Sequence, residues 1–320
     1  MRVCIAGAGF MARTHATEYA EMDVEVVGVS SPSGPVEFVE EFGFEAEAYA
    51  DAATMLEDTE PDYVDVCTPT HTHLDLVRTA AAAGVDVFLE KPIAGTLAEA
   101  REIAETVDDA GLTFMVGHVV RFSPSYRTAH DLEIGTEGVA RARRLSPFPD
   151  WGSDDWFADR EKSGGVFVDL AIHDLDYLRW CWGDVERVFA RRQCDAESEH
   201  GFVTLRFESG AVGYVESSWA QPQSRPLTFE LELAGDDGLV EFSSADESPY
   251  DEWTTDGATV ESPLARNGYR RELEHFVSRL EDGSDPEVGA EEAIEALRLA
   301  LAAERSADRG VPVTLEEVVA

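Results

Sequence analysis

The sequence predicts an α/β fold in two parts: a parallel sheet covered by helices over residues 1–121, and an α+β region with an antiparallel sheet over 122–320. Three observations predict it. Short apolar runs alternate with helical patterns through the first part, the signature of strand–helix–strand units. A Gly7-Ala8-Gly9 turn joins the first run to the first helical stretch. After Arg121 apolar runs follow one another with turn residues between them, as antiparallel strands do.

The first strand covers residues 3–6, its helix extends to about residue 21, and a second strand covers 24–29. A helix over 35–42 stops at Gly43, and Asp51 is placed to cap a short one. A strand over 63–67 ends in Thr68-Pro69, and the next helix ends at Gly84, a residue suited to the left-handed C-terminal position. After a strand over 85–89, Thr96-Leu97-Ala98-Glu99 fits a capping box opening a helix that stops near Gly111. A strand over 112–117 closes this part.

The second part begins with a strand over 139–145 and a loop over 146–165 rich in Pro, Trp, Asp and Gly. A helix over 166–182 leads to strands over 185–192, 202–208, 211–219, 227–234 and 239–242, with Ser209-Gly210 and Asp237-Gly238 as hairpin turns. Leu227, Phe229, Leu231 and Leu233 alternate with Thr228, Glu230 and Glu232, so one face of that strand is buried. Helices near 269–280 and 290–307 end the chain.

With 65 Asp+Glu against 25 Lys+Arg, the net charge is -40. A hydrophobic content of 44% is too high for disorder. Phosphate recognition needs clustered Lys and Arg, which excludes nucleic acid as a partner. No apolar run approaches the ~20 residues that span a bilayer, so no membrane partner is expected. Met1-Arg2 leads straight into an apolar strand and leaves no room for a signal peptide; a soluble cytoplasmic protein is expected.

Only two lysines remain, Lys91 and Lys162. Loss of lysine beside an acid surplus predicts a halophilic surface rather than an ordinary acidic one. In molar salt the Debye length shrinks to about 3 Å and self-repulsion is screened. The melting temperature is therefore expected to fall on desalting; equal values in low and molar salt would count against this reading. Something other than solubility keeps the two lysines.

Gly7-x-Gly9-x-x-Ala12 lies between a strand and a helix, where a dinucleotide fingerprint must lie. Gly7 permits the tight turn, Gly9 lets backbone approach a pyrophosphate, and Ala12 permits close helix–strand contact. The helix N-terminus offers N–H groups to phosphate. A purely structural turn is the alternative. The end of the second strand carries no carboxylate for a ribose and no Arg for a 2′-phosphate. Hydroxyls of Ser30, Ser31 or Ser33 can serve NAD or NADP, and the preference leans to NADP.

Lys91 follows a buried strand in Leu89-Glu90-Lys91-Pro92, at the sheet edge that faces ligands in open α/β folds. Pro92 biases it toward an extended conformation that helps aim its ammonium. Asp169 and His173 are spaced i,i+4 on the predicted helix, where a carboxylate can orient an imidazole and raise its basicity; a surface ion pair is the bland alternative. Gly164-Gly165 before them would let backbone approach a ligand. His71 and His73 have no carboxylate completing a metal motif and read as helix-start or crevice-wall residues. The cysteines, Cys4, Cys67, Cys181 and Cys194, lack CxxC spacing and read as reduced packing residues, so no metal site is expected.

Taken in order, these motifs resemble the glucose–fructose oxidoreductase / inositol dehydrogenase (Gfo/Idh/MocA) family: Gly7-Ala8-Gly9-Phe10-Met11-Ala12, Thr68-Pro69 with His73, Glu90-Lys91-Pro92, Gly117 with Arg121-Phe122-Ser123-Pro124, and Ser163-Gly164-Gly165 with Asp169 and His173. The resemblance covers roughly residues 1–183, with a weaker echo over 290–313. Where the family has a third glycine this chain has Val166, and Val119 replaces a frequent asparagine.

The likeness implies a Rossmann dinucleotide-binding domain followed by a domain with a large open, mostly antiparallel sheet, and a homo-oligomer, dimer or tetramer. It implies metal-free oxidation of a sugar or cyclitol hydroxyl, or the reverse, with Lys91, Asp169 and His173 as catalytic residues that also meet the substrate. Cofactor contacts are expected from Gly7, Gly9, Phe10, Met11, Ser30, Ser31, Thr68, Pro69, His73, Glu90 and Lys91. For the substrate, Trp151 and Trp156 either stack on an apolar sugar face or pin the loop by packing. Arg121, Arg143 and Arg144 are candidates to meet an anionic group. Two other readings stay open at this point: a non-catalytic NAD(P)-binding sensor or scaffold, and an NAD-assisted glycoside-cleaving enzyme.

Overall fold

The computed structural model describes the chain except residues 133, 136–137, 150–155, 196–197, 245–252, 255–256, 259–262 and 320. Its first sheet has six parallel strands: β1 (Arg2–Ala6), β2 (Glu25–Ser30), β3 (Glu47–Tyr49), β4 (Tyr63–Val66), β5 (Asp86–Glu90) and β6 (Phe114–Gly117), in the order β3-β2-β1-β4-β5-β6. The order reverses between β1 and β4, which opens a crevice at the strand C-termini. Val3, Cys4 and Ile5 of β1 and Val87, Phe88 and Leu89 of β5 are fully buried, as strands covered on both faces must be.

Helices α1 (Phe10–Tyr19), α2 (Val36–Phe42), α3 (Ala52–Thr59), α4 (His73–Ala83) and α5 (Leu97–Ala110) cover the sheet. Their ends follow the sequence signals. The Asp51 side chain accepts the Thr54 N–H, Thr96 accepts that of Glu99, and Gly43, Gly84 and Gly111 take left-handed C-terminal conformations. Strand β3 went unpredicted: in three residues, alternation has no room to show.

After α6 (Pro124–Asp131), a helix the sequence reading does not assign, comes β7 (Gly138–Pro147), then α7 (Arg160–Ser163), a π-helical turn over Phe167–Ala171, and α8 (Ile172–Trp182). The strands β8 (Val185–Cys194), β9 (Glu199–Phe207), β10 (Val212–Gln221), β11 (Thr228–Gly235) and β12 (Leu239–Ser243) follow. A two-stranded piece, β13 (Trp253–Thr254) with β14 (Gly257–Ala258), precedes α9 (Pro263–Asp282), α10 (Ala290–Arg309) and β15 (Val313–Thr314). The second sheet runs β12-β11-β7-β10-β9-β8-β15, antiparallel throughout except for the parallel β7–β10 pair.

One face of this sheet packs on α8 and α10; the other presents Val139, Val212 and Tyr214, all exposed. On that open face Arg143 pairs with Glu216 and Glu230 across strands. Helix α9 returns to the first sheet. Tyr269 lies against His15 of α1, Phe276 against Tyr63 and Phe88, and the Arg270 guanidinium donates to the Glu18 and Glu21 carbonyls at the end of α1. Among the described residues no helix is long and apolar enough to cross a membrane.

Candidate active site

The glycine turn is built as a nucleotide cradle requires. Gly7 has φ +118°, and a Cβ there would meet the Cys67 carbonyl oxygen at 2.5 Å, so only glycine lets β1 turn this close to β4. A Cβ on Gly9 would meet nothing within 4 Å. That open space lies at the N-cap of α1, whose first N–H groups have no side-chain cap, which fits a pyrophosphate. Ala12 is fully buried, and Phe10 is exposed at the helix start. Ser30 is buried with its carbonyl accepting the Gly7 N–H, and the Ser31 and Ser33 hydroxyls lie 3.2 Å apart at the end of β2.

Lys91 emerges from β5 as expected. Its Nζ donates to the Asp169 carbonyl (2.8 Å) and carboxylate (2.9 Å), which ties the edge of the first sheet to the π turn. His173, one turn further on, is half-buried with its Nδ1 shielded and without a hydrogen bond to any described residue. Its pKa lies well below the usual imidazole value because burial, then the Lys91, Arg144 and His118 charges, disfavour the cation. Lys91 and Asp169 are therefore joined directly, and the Lys91 charge reaches the His173 ring.

Their pairing differs from the expectation. Asp169 bonds Lys91, not His173, and His173 is less basic than a free imidazole, not more. The cause is local: the π-helical turn over Phe167–Ala171 breaks the i,i+4 register between the two residues. What steadies His173 is its helix. Asp174 receives two bonds from Arg144 of β7 (2.8 and 3.0 Å), and Asp176 receives two from Arg121 (2.6 and 2.8 Å), all four side chains being buried.

Other expected contacts are moved. Arg121 and Arg144 are held in those core ion pairs and Arg143 lies on the open sheet face, so their guanidinium groups serve the fold. The buried His73 ring directs Nε2 at the Thr68 carbonyl (3.0 Å) and Nδ1 at the Pro92 carbonyl (3.1 Å), which leaves neither nitrogen for a cofactor. Glu90 is buried, one oxygen accepting the Lys91 N–H (3.1 Å) and the other facing His15 Nε2 (3.2 Å). Gly164 and Gly165 have positive φ, and their missing side chains make room for Val168 and for Arg160 and Glu199, not for a ligand. Trp156 packs against His71, with ring centroids 5.4 Å apart; Trp151 lies outside the described residues. Sequence reasoning missed His118, buried beside Asp176, whose signal was its position after β6 at the ligand edge.

Residues 1–118 match the Gfo/Idh/MocA oxidoreductase family's NAD-binding Rossmann fold, and residues 138–315 match its C-terminal alpha/beta domain. The chain belongs to the Gfo/Idh/MocA family. As a Gfo/Idh/MocA protein it is an NAD(P)-dependent oxidoreductase of the sugar/inositol dehydrogenase family. It is 30% identical to a myo-inositol 2-dehydrogenase of Thermotoga maritima over 100% of both chains. It is 29% identical to D-xylose 1-dehydrogenase (NADP(+)) 2 of Haloferax volcanii, over 97% of this chain and 98% of the other. The crystal structure of GenD2 from gentamicin A biosynthesis, in complex with NAD, superposes with a TM-score of 0.86 at 27% identity, covering 98% and 96% of the two chains.

Proposed function

We propose that this protein is a dehydrogenase that moves a hydride between a sugar or cyclitol CH–OH carbon and NAD(P), with Lys91 and His173 handling the proton. The observation that carries this reading is the Lys91–Asp169 bridge, one turn before the half-buried His173, whose pKa is held down by burial and then by the Lys91 charge. The nicotinamide supplies the hydride acceptor. His173 takes the hydroxyl proton, while Lys91 donates a hydrogen bond to the same oxygen and stabilises its developing negative charge. Asp169 holds the ammonium in place.

A base must be neutral to act. Because the pKa of His173 is depressed, oxidation is expected to persist to pH values below the ordinary imidazole range before protonation stops it. His173→Ala should remove that acid limb from the kcat/KM profile; an unchanged limb in the variant sinks the assignment.

The NADP preference is supported by the carboxylate-free end of β2 and by the hydroxyls of Ser31 and Ser33. The exposed apolar residues on the open sheet face support a homo-oligomer, and the charge pattern a salt-adapted surface. A polyol and aldose panel run with both cofactors in molar salt, read by cofactor reduction, tests the function. Cofactor binding without turnover on any member overturns it in favour of a sensor.

A further inference from the structure

Beneath the Lys91 turn lies a set of buried groups that the proposed chemistry does not use. His15 of α1, Asp65 of β4 and Glu272 of α9 are fully buried, and Glu90 at the end of β5 is 5% exposed. His15 Nδ1 is 2.8 Å from the Asp65 carboxylate, which also accepts the Tyr19 hydroxyl and the Cys67 thiol. His15 Nε2 is 3.2 Å from Glu90 Oε1 and 4.0 Å from Glu272 Oε1. The other oxygen of Glu90 accepts the Lys91 N–H at 3.1 Å. His15 Nε2, Glu90 Oε1 and both Glu272 oxygens have no hydrogen bond to any described residue, so the approach of His15 to Glu90 is an ion-pair contact. Tyr269 closes the remaining side.

We propose that His15 is a positioning residue for Lys91: Asp65 fixes the ring, the ring's Nε2 side holds Glu90 by an ion-pair contact, and Glu90 holds the Lys91 backbone. This rests on the reading of Lys91 as the catalytic lysine. The contacts favour a ring protonated at both nitrogens, because each faces a carboxylate and an unprotonated Nε2 would set a lone pair against Glu90. Burial opposes charge on the ring, and the Asp65 carboxylate and the Cys67 sulfur beside it more than offset that, so its pKa is held well above the usual value. Burial, then the Glu90 charge, pushes the Glu272 carboxyl well up, which leaves Asp65 and Glu90 as the carboxylates that face the ring most closely. Glycine-turn helix, Lys91 strand and α9 meet on this ring.

The two amide replacements separate positioning from packing. In His15→Gln the side-chain N–H falls where Nε2 was and can still hold Glu90; in His15→Asn it falls where Nδ1 was, and Glu90 is released. His15→Asn is expected to lower kcat on the order of tenfold or more, with cofactor Kd unchanged, and His15→Gln to stay within about threefold of the parent. Equal losses in both variants overturn the proposal. A second readout does not depend on turnover. With only two lysines in the chain, amine-reactive labelling reads Lys91 against Lys162 as an internal reference, peptide by peptide. The Lys91/Lys162 ratio should change several-fold in the Asn variant and not in the Gln variant; an unchanged ratio in both refutes the link to Lys91.

If neither variant folds, nitrogen NMR of His15 in the unaltered protein decides the matter. A protonated Nε2 at neutral pH supports the proposal, and a ring protonated at Nδ1 alone ends it. Normal turnover of Lys91→Ala would instead remove the catalytic reading of Lys91 while leaving the labelling and NMR results to judge His15.

Discussion

Lys91→Ala is expected to lower kcat by about 10²–10⁴-fold while cofactor Kd changes by less than about threefold. The ammonium donates to the Asp169 carbonyl and carboxylate, which leaves one N–H for the substrate oxygen in the proposed chemistry. The glycine turn proposed to hold the pyrophosphate is built from other residues, so the two effects are expected to separate. Stopped-flow hydride transfer and cofactor titration by fluorescence check this together. A variant that binds cofactor normally and turns over within about tenfold of the parent removes Lys91 from the chemistry.

Arg144→Met carries the largest expected effect on stability. Asp174 is fully buried, and its two bonds from Arg144 are the compensation that keeps a carboxylate there. Truncating one partner leaves the other charged and unpaired, at a cost of roughly 3–5 kcal/mol. Replacing both, Arg144→Met with Asp174→Leu, is expected to recover most of that loss, because the desolvation penalty goes with the pair. Denaturant midpoints of the two variants in molar salt provide the comparison. A double variant as unstable as the single one would mean the pair contributes through shape, not charge.

The residues that could be read from the chain were those whose signals are local. Lys91 announced itself by following an apolar strand in a sequence that otherwise avoids lysine, and Gly7 by its place between strand and helix. Asp169 and His173 were recognisable as a pair, yet their partners were not. A π-helical turn leaves no mark in residue spacing, and it hands Asp169 to Lys91. Arg121 and Arg144 looked like ligand contacts because their carboxylate partners, Asp176 and Asp174, lie on a helix far along the chain. His15 and Glu272 come from opposite ends of the sequence, so their meeting depends on how α9 packs, which no local pattern encodes.

The return of α9 has a consequence for how the chain is made. Arg270 closes the end of α1, and Phe276 covers Tyr63 and Phe88. A ribosome that has released only the first half has therefore produced a nucleotide domain with one side bare, its acidic core groups open to water. Fragments ending near residue 121 should be aggregation-prone, and a nascent chain must wait for its last sixth before the earliest helix is sealed.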